Sequence, residues 1–278
     1  MRQIKQIFRR ALRYIIKGVP TYYTTANVSY LSPEKRLVGK HIVVTGGGRG
    51  LGYAMAKRFV EEGAKVLIAG RNEEVLKKSS KTIGCEWICI DMQNVDSFDK
   101  FFVDAIQKIG FIDCLVNNAG ISLHEEDYSK VTPESFDMQI STNLRGAFFL
   151  TQKYLEIVKK GKQKASILFI SSETGETADE RPYGWTKAAT NSMVRGLAYK
   201  LAKDGIRVNA LAPGVTASDM TGYKEDGNLY RADSITRRVY LPDEIAEVAC
   251  FILSDLSGCI SGQIFTCNNG NTINARWK

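Results

Sequence analysis

Histidine is nearly missing from this chain: His41 and His124 are the two in 278 residues. The six cysteines (Cys85, Cys89, Cys114, Cys250, Cys259, Cys267) include no Cys-x-x-Cys pair, and nothing repeats the Cys85/Cys89 spacing. So few ligands in no metal-site pattern argue against a zinc centre. They do not make a disulfide scaffold either. Most sit in apolar runs, as small buried hydrophobes do, which suits a reducing, cytoplasmic setting. Long apolar runs are missing as well. No stretch approaches the roughly 18 uncharged apolar residues that a membrane span needs. The apolar stretch Tyr14–Ile16 is cut by Arg13 and Lys17, which does not fit a secretory signal. There is no internal repeat and no low-complexity segment. With 44% apolar and 24% charged residues, a disordered or collagen-like chain is excluded, and one soluble domain can bury its own core.

The net charge of +8 is not spread over the chain. Residues 1–40 hold nine bases against one acid, Glu34, and so carry the whole excess; the remainder is balanced. The body has no field to steer it to a polyanion, so no nucleic-acid partner is expected. In residues 4–16, Ile4, Ile7, Phe8, Ala11, Leu12, Ile15 and Ile16 recur at helical spacing, with bases largely between them. This predicts a basic amphipathic helix ended by Gly18 and Pro20. Its apolar stripe needs a partner: the body or a sister subunit, an anionic membrane surface met by residues 1–17, or an import receptor. Packing against the body or a neighbour is the favoured outcome, and a membrane-peripheral location the second.

From Lys40 onward the pattern alternates. Short apolar, β-rich runs at His41–Thr45, Lys65–Ala69, Trp87–Ile90, Ile112–Asn117, Ser166–Ser171, Ile206–Leu211 and Gln263–Cys267 alternate with helical stretches near 51–62, 72–80, 95–109, 133–159, 182–203 and 242–253. Strands that are apolar on both faces and separated by helices predict a parallel sheet covered on both sides. The expected division is an extension over residues 1–37 and a single α/β domain over 38–278.

Thr45-Gly46-Gly47-Gly48-Arg49-Gly50-Leu51-Gly52 follows the first strand and opens a helix. Glycines there let the backbone turn tightly and approach a pyrophosphate, whose charge the helix N-terminus meets. The spacing Gly-x3-Gly-x-Gly resembles the short-chain dehydrogenase/reductase family, in its short single-domain branch. The likeness runs in order through nearly all of residues 38–270, and oxoacyl-carrier-protein reductase-like members look most similar. Asp91 and Met92 follow the third strand, where the family contacts adenine. Asn117-Asn118-Ala119-Gly120 ends the fourth, Asn143 lies in the next helix, and Ser171-Ser172 ends the fifth strand. Tyr183-x3-Lys187 opens the following helix. Pro213-Gly214 follows the sixth strand, and Ser218 stands where the family usually has threonine. The resemblance implies a doubly wound, Rossmann-type fold, a nicotinamide cofactor on these motifs, and a homodimer or homotetramer. It also implies hydride exchange with a small carbonyl or alcohol substrate, free or carrier-bound.

The residues add their own arguments. An NAD site usually offers an acid to the ribose after the second strand. Here stands Arg71, which with Arg49 can meet a 2′-phosphate, favouring NADP(H) over NAD(H). Tyr183 and Lys187, four apart, share one helix face. An ammonium beside the phenol, with the charge of the oxidised nicotinamide, would bring a pKa near 10 toward the working range. Tyr199 and Lys203 repeat the spacing four turns on, away from any strand end, and serve as an internal control. Ser172 would stabilise charge on the substrate oxygen. By the resemblance, Asn143 would hold a water linking Lys187 to solvent. Ten residues separate Ser172 from Tyr183, two fewer than is usual in the family, so Ser171 remains the alternative serine. The intervening stretch is acidic (Glu173, Glu176, Asp179, Glu180), and Asn268-Asn269-Gly270-Asn271 replaces a more usual Asp-Gly-Gly. A non-catalytic dinucleotide-binding redox sensor or scaffold is the rival reading.

Overall fold

The structure, a computed structural model, describes residues 22–26 and 35–273. The expected helix over 4–16, and any membrane surface formed by residues 1–17, lie outside the described residues. Among those described, no helix is long and apolar enough to cross a membrane.

Strands β1 (His41–Thr45), β2 (Lys65–Gly70), β3 (Glu86–Cys89), β4 (Cys114–Asn117), β5 (Ala165–Ile170), β6 (Ile206–Pro213) and β7 (Ile264–Cys267) form one sheet in the order β3-β2-β1-β4-β5-β6-β7. All neighbours are parallel, with His41 opposite Lys65, Ile42 opposite Cys114 and Ala165 opposite Ile206. Alternate residues feed two cores. Val43, Leu67, Leu115 and Ile167 face helices α3 (Phe98–Ile109), α5 (Ala147–Lys160) and α6 (Pro182–Leu201). Ile42, Val44, Ile68 and Leu168 face α1 (Gly50–Glu61), α2 (Glu73–Ile83) and α7 (Pro242–Leu253). Both faces are therefore dry, which is why the strands read as unbroken apolar runs. The order reverses between β1 and β4, and a crevice opens at the carboxyl ends of those strands, where ligands of such sheets bind.

Local chemistry sets the helix ends. Asn72 caps α2 by accepting from the Val75 amide, and Gly84, at φ 79°, closes it in the left-handed region. α2 thus runs three residues beyond the expected 80, because no earlier residue can adopt that closure so cheaply. The helix expected over 133–159 is not continuous. α4 (Pro133–Gln139) passes into a π-turn over Ile140–Gly146 before α5 begins. Hydrophobic period does not register one extra residue in a turn, so the sequence reads as a single helix.

Packing reaches back past the expected boundary at residue 38. Leu37 is fully buried. The Arg36 guanidinium meets Glu62 at 2.5 Å and Glu247 at 3.0 Å, and Arg58 meets Glu62 at 2.9 Å. Burial would push the Glu62 carboxyl up, but hydrogen bonds from Arg36 and the charge of Arg58 outweigh it and hold it low. Further upstream, residues 22–26 strap onto the segment before α7. The Thr24 amide donates to Asn228 Oδ1 (3.2 Å), the Leu229 amide to the Thr24 carbonyl (3.1 Å), and the Tyr22 and Tyr230 rings stack at 5.2 Å.

The cysteines are less buried than expected. Cys114 and Cys250 are in the core, their thiols pushed up to about 12 by burial. Cys89 and Cys259 are exposed, because their strand and loop positions point outward.

Candidate active site

The glycine turn is shaped by neighbours that leave no room for side chains. A Cβ on Gly52 would lie 2.2 Å from the Gly46 carbonyl oxygen, and one on Gly46 (φ +66°) 2.8 Å from Asn118 Nδ2. Asn118 clamps the turn by donating to the carbonyls of Thr45 (2.9 Å) and Gly46 (3.2 Å). Thr45 Oγ1 receives the amides of Asn118 (3.0 Å) and Ala119 (3.1 Å). The Gly46–Gly52 turn and the Asn118–Gly120 motif, distant in sequence, are thus one unit. Arg49 precedes α1 without capping it through its side chain, and no acid stands in the first turn. Neither a side-chain cap nor an acid of its own first turn meets the first amides of that helix.

The other expected cofactor contacts ring this cradle. Leu51 packs on the core beneath it. Arg71 is exposed just past the end of β2, and Arg49 is exposed, 3.6 Å from Asp219. Asp91 is exposed and accepts the Gln93 amide, while Met92 is buried, its carbonyl hard against Gly146. Pro213 ends β6, and the Gly214 amide bonds the Cys267 carbonyl (3.0 Å). Ser218 closes over the turn, its Cβ 3.5 Å from where one on Gly50 would lie.

Beside the cradle, Tyr183 and Lys187 open α6. Lys187 is buried, and its Nζ donates to the Ile170 carbonyl at 2.8 Å and lies 5.4 Å from the Tyr183 ring centroid. Burial lowers this lysine to about 8. The expected fall of Tyr183 draws on the nicotinamide charge as well; the protein's own groups act the other way on this half-buried phenol. Burial raises its phenol above the ordinary value, opposed by a hydrogen bond with Ser172. The Lys187 ammonium, bonded to the Ile170 carbonyl, lies over the phenol ring. A Tyr183 held protonated is suited to giving a proton.

The serine register is legible in the geometry. Ser171 is buried, donating to Asn191 Oδ1 (2.6 Å) and the Lys187 carbonyl (3.3 Å). Ser172 faces Tyr183. Its oxygen accepts from the Thr174 amide (3.2 Å) and hydroxyl (3.0 Å), which leaves its own proton for another acceptor, the Tyr183 oxygen among them. Asn143 lies in the π-turn. Its side chain holds the Ile121 peptide, Oδ1 to the amide and Nδ2 to the carbonyl, both at 2.8 Å. This side chain braces Gly120-Ile121, beside which Nζ rests. A Cβ on Gly120 would stand 3.4 Å from Asn143 Oδ1 and 3.6 Å from Lys187 Nζ. Tyr199, by contrast, is 90% exposed.

Sequence reading missed Thr45, Asn191 and the use of Glu173. Thr45 was signalled by a polar residue ending an otherwise apolar strand. Asn191 lies four and eight residues after Lys187 and Tyr183, on their helical face. Glu173 is buried against Asn268 and Asn271, a pairing that only tertiary structure reveals.

This arrangement has counterparts in known proteins. Residues 46–272 match the family model described as enoyl-(acyl carrier protein) reductase. An uncharacterized oxidoreductase of Mycobacterium bovis is 34% identical over 83% of this chain and 96% of its own. A 3-oxoacyl-[acyl-carrier-protein] reductase of Aquifex aeolicus is 32% identical over 85% and 99%. An NADP-dependent (R)-specific alcohol dehydrogenase of Lentilactobacillus kefiri is 33% identical over 85% and 98%. The crystal structure of a 3-ketoacyl-(acyl-carrier-protein) reductase from Brucella melitensis, complexed with NADH, superposes with a TM-score of 0.79 at 30% identity, covering 85% of this chain and all of that one. The chain belongs to the short-chain dehydrogenase/reductase family. It is an oxidoreductase of the carbonyl/alcohol class, like its named relatives.

Proposed function

We propose that this enzyme reduces a ketone or aldehyde with NADPH. The observation that carries the reading is the convergence of Tyr183, Ser172 and Lys187 beside a glycine cradle braced by Asn118. The cradle fits a dinucleotide: a Cβ would fill it at Gly46 or Gly52, and the first amides of α1 face it. Gly46, Gly50, Gly52 and Asn118–Gly120 would hold the cofactor, with Ser218 above it, and Arg71 and Arg49 would receive the 2′-phosphate. When bound, the nicotinamide supplies the hydride. Ser172 donates a hydrogen bond to the carbonyl oxygen and stabilises the charge that develops there. Tyr183, kept neutral by burial, gives that oxygen its proton. Lys187 carries a charge at neutral pH beside the phenol and stabilises the phenolate that results.

The relatives' names include carrier-bound, sugar and simple alcohol chemistry, so the substrate is stated as a carbonyl compound, free or carrier-bound. The π-turn and the outer faces of α5 and α6 form an apolar groove lined by Leu144, Phe148, Phe149, Met193 and Leu197, an area suited to a second copy of the chain. A screen of carbonyl compounds with NADPH and NADH tests the reading. NADPH should be preferred, and Arg71→Asp should weaken NADPH far more than NADH. A lost charge-assisted contact costs about 1.5–3 kcal/mol. Equal Michaelis constants for the two cofactors in the unmodified enzyme would remove the phosphate assignment.

A further inference from the structure

Two departures, the acidic stretch after Ser172 and the asparagine-rich turn near residue 270, meet in space. Glu173 is the neighbour of Ser172 in the chain, and its side chain is turned inward. Its Oε2 accepts from Asn268 Nδ2 (3.0 Å) and Asn271 Nδ2 (3.2 Å), and its Oε1 lies 3.8 Å from the Arg231 guanidinium. Asn268 is itself buried. Asn271 also accepts the Ile235 amide (3.2 Å), so the turn is continuous with the segment that carries Arg231.

The other end of the same turn is equally held. Glu173–Glu176 is a single 3-10 turn capped by Ser172. Glu176 accepts from Asn191 Nδ2 at 2.6 Å, and Asn191 in turn receives Ser171. A Cβ on Gly175 would lie 2.8 Å from the Lys187 carbonyl carbon, so the turn rests directly on α6. The direction of the Ser172 hydroxyl depends on Thr174, in the middle of this turn. Two anchors, the buried Glu173 at one end and the bond from the exposed Glu176 to the buried Asn191 at the other, therefore determine where Thr174 and hence Ser172 point.

We propose that Glu173 is a positioning residue for Ser172: its buried carboxylate ties the shortened serine–tyrosine turn to Asn268, Asn271 and Arg231, and so aims the serine hydroxyl. The inference rests on the catalytic reading of Ser172. Asn268→Asp keeps the shape of the asparagine but sets a second carboxylate against Glu173, where like charges repel. Glu173→Gln/Asn268→Asp restores a donor–acceptor pair with the charge moved across. Two measurements are made: amide hydrogen exchange at residues 172–176, which needs no substrate, and kcat with the NADPH dissociation constant.

Asn268→Asp should speed exchange at 172–176 and lower kcat by about tenfold or more, the scale of a misaligned transition-state donor. NADPH binding should stay unchanged. The double variant should recover both exchange and kcat. Should Asn268→Asp melt below the assay temperature, Glu173→Gln carries the same comparison. Unchanged exchange at 172–176 overturns the proposal whatever the turnover, and so does a double variant no better than Asn268→Asp. Absence of NADPH binding in the unmodified protein strikes the cofactor reading instead and leaves the exchange result valid.

Discussion

Two tyrosine–lysine pairs of equal spacing occur along α6 and the 3-10 turn Ala202–Asp204 that follows it, and their surroundings separate them. Tyr183 is half-buried against Ser172, whereas Tyr199 stands 90% exposed. Tyr183→Phe removes only the proton-donating hydroxyl and should lower kcat by about 10²–10⁴-fold, the usual worth of a positioned acid. Calorimetric NADPH binding should be retained, and Tyr199→Phe should remain fully active. Ser172→Ala should lower kcat more than Ser171→Ala, whose loss is a buried bond to Asn191 and is read in the melting temperature. Lys187, lowered to about 8 by burial, predicts the pH behaviour. Its charge is present below that pH and lost above it, while Tyr183 is raised and stays protonated. The kcat/KM for the cofactor in the reductive direction, which reports groups of the free enzyme, should therefore be level near neutrality and fall above about pH 8. A profile level to pH 10 would show that the Lys187 charge is not required.

At the scale of elements, the π-turn and the strap are what the linear pattern concealed. The π-turn swings Asn143 onto Ile121, and a hydrophobic period cannot predict that. The strap of residues 22–26 is held by Asn228, Leu229 and Tyr230, in the segment that also brings Ser218 over Gly50 and Arg231 to Glu173. Removing residues 1–26 should loosen that segment. The expected readout is a raised KM for the carbonyl substrate, with melting little changed. Removing residues 1–36 also deletes Arg36 and leaves the buried Glu62 with one fewer cation. That truncation should lower stability by about 1–3 kcal/mol, the cost of a buried group losing one hydrogen-bond partner while Arg58 still pairs with it. Equal melting of the two truncations would refute the part assigned to Arg36.

At the scale of the whole molecule, the sheet is closed on both faces by helices, yet among the described residues one apolar helical face is left uncovered. Phe148 and Phe149 are 42% and 36% exposed on it. Self-association should cover them. Phe148→Glu should reduce the mass in solution, measured by light scattering, to that of a monomer of 30.9 kDa. An unmodified protein already monomeric at that mass would remove the assembly proposal.

What the sequence by itself determined is whatever depends on neighbours along the chain. Apolar runs of strand length, glycines after the first strand, and Tyr183 and Lys187 one helical turn apart all follow from local period and backbone freedom. Those features sufficed for a parallel doubly wound sheet and for most of the candidate site. The tertiary structure alone decided what depends on partners far apart in sequence. Ser172 and not Ser171 turns to Tyr183, because Asn191 takes the other hydroxyl. Burial raises the Tyr183 phenol, an effect that its spacing to Lys187 does not show. Glu173 faces inward because two amides, about a hundred residues away, are there to receive its charge. Hydrogen-bond satisfaction and desolvation are set by three-dimensional enclosure, which residue spacing does not encode.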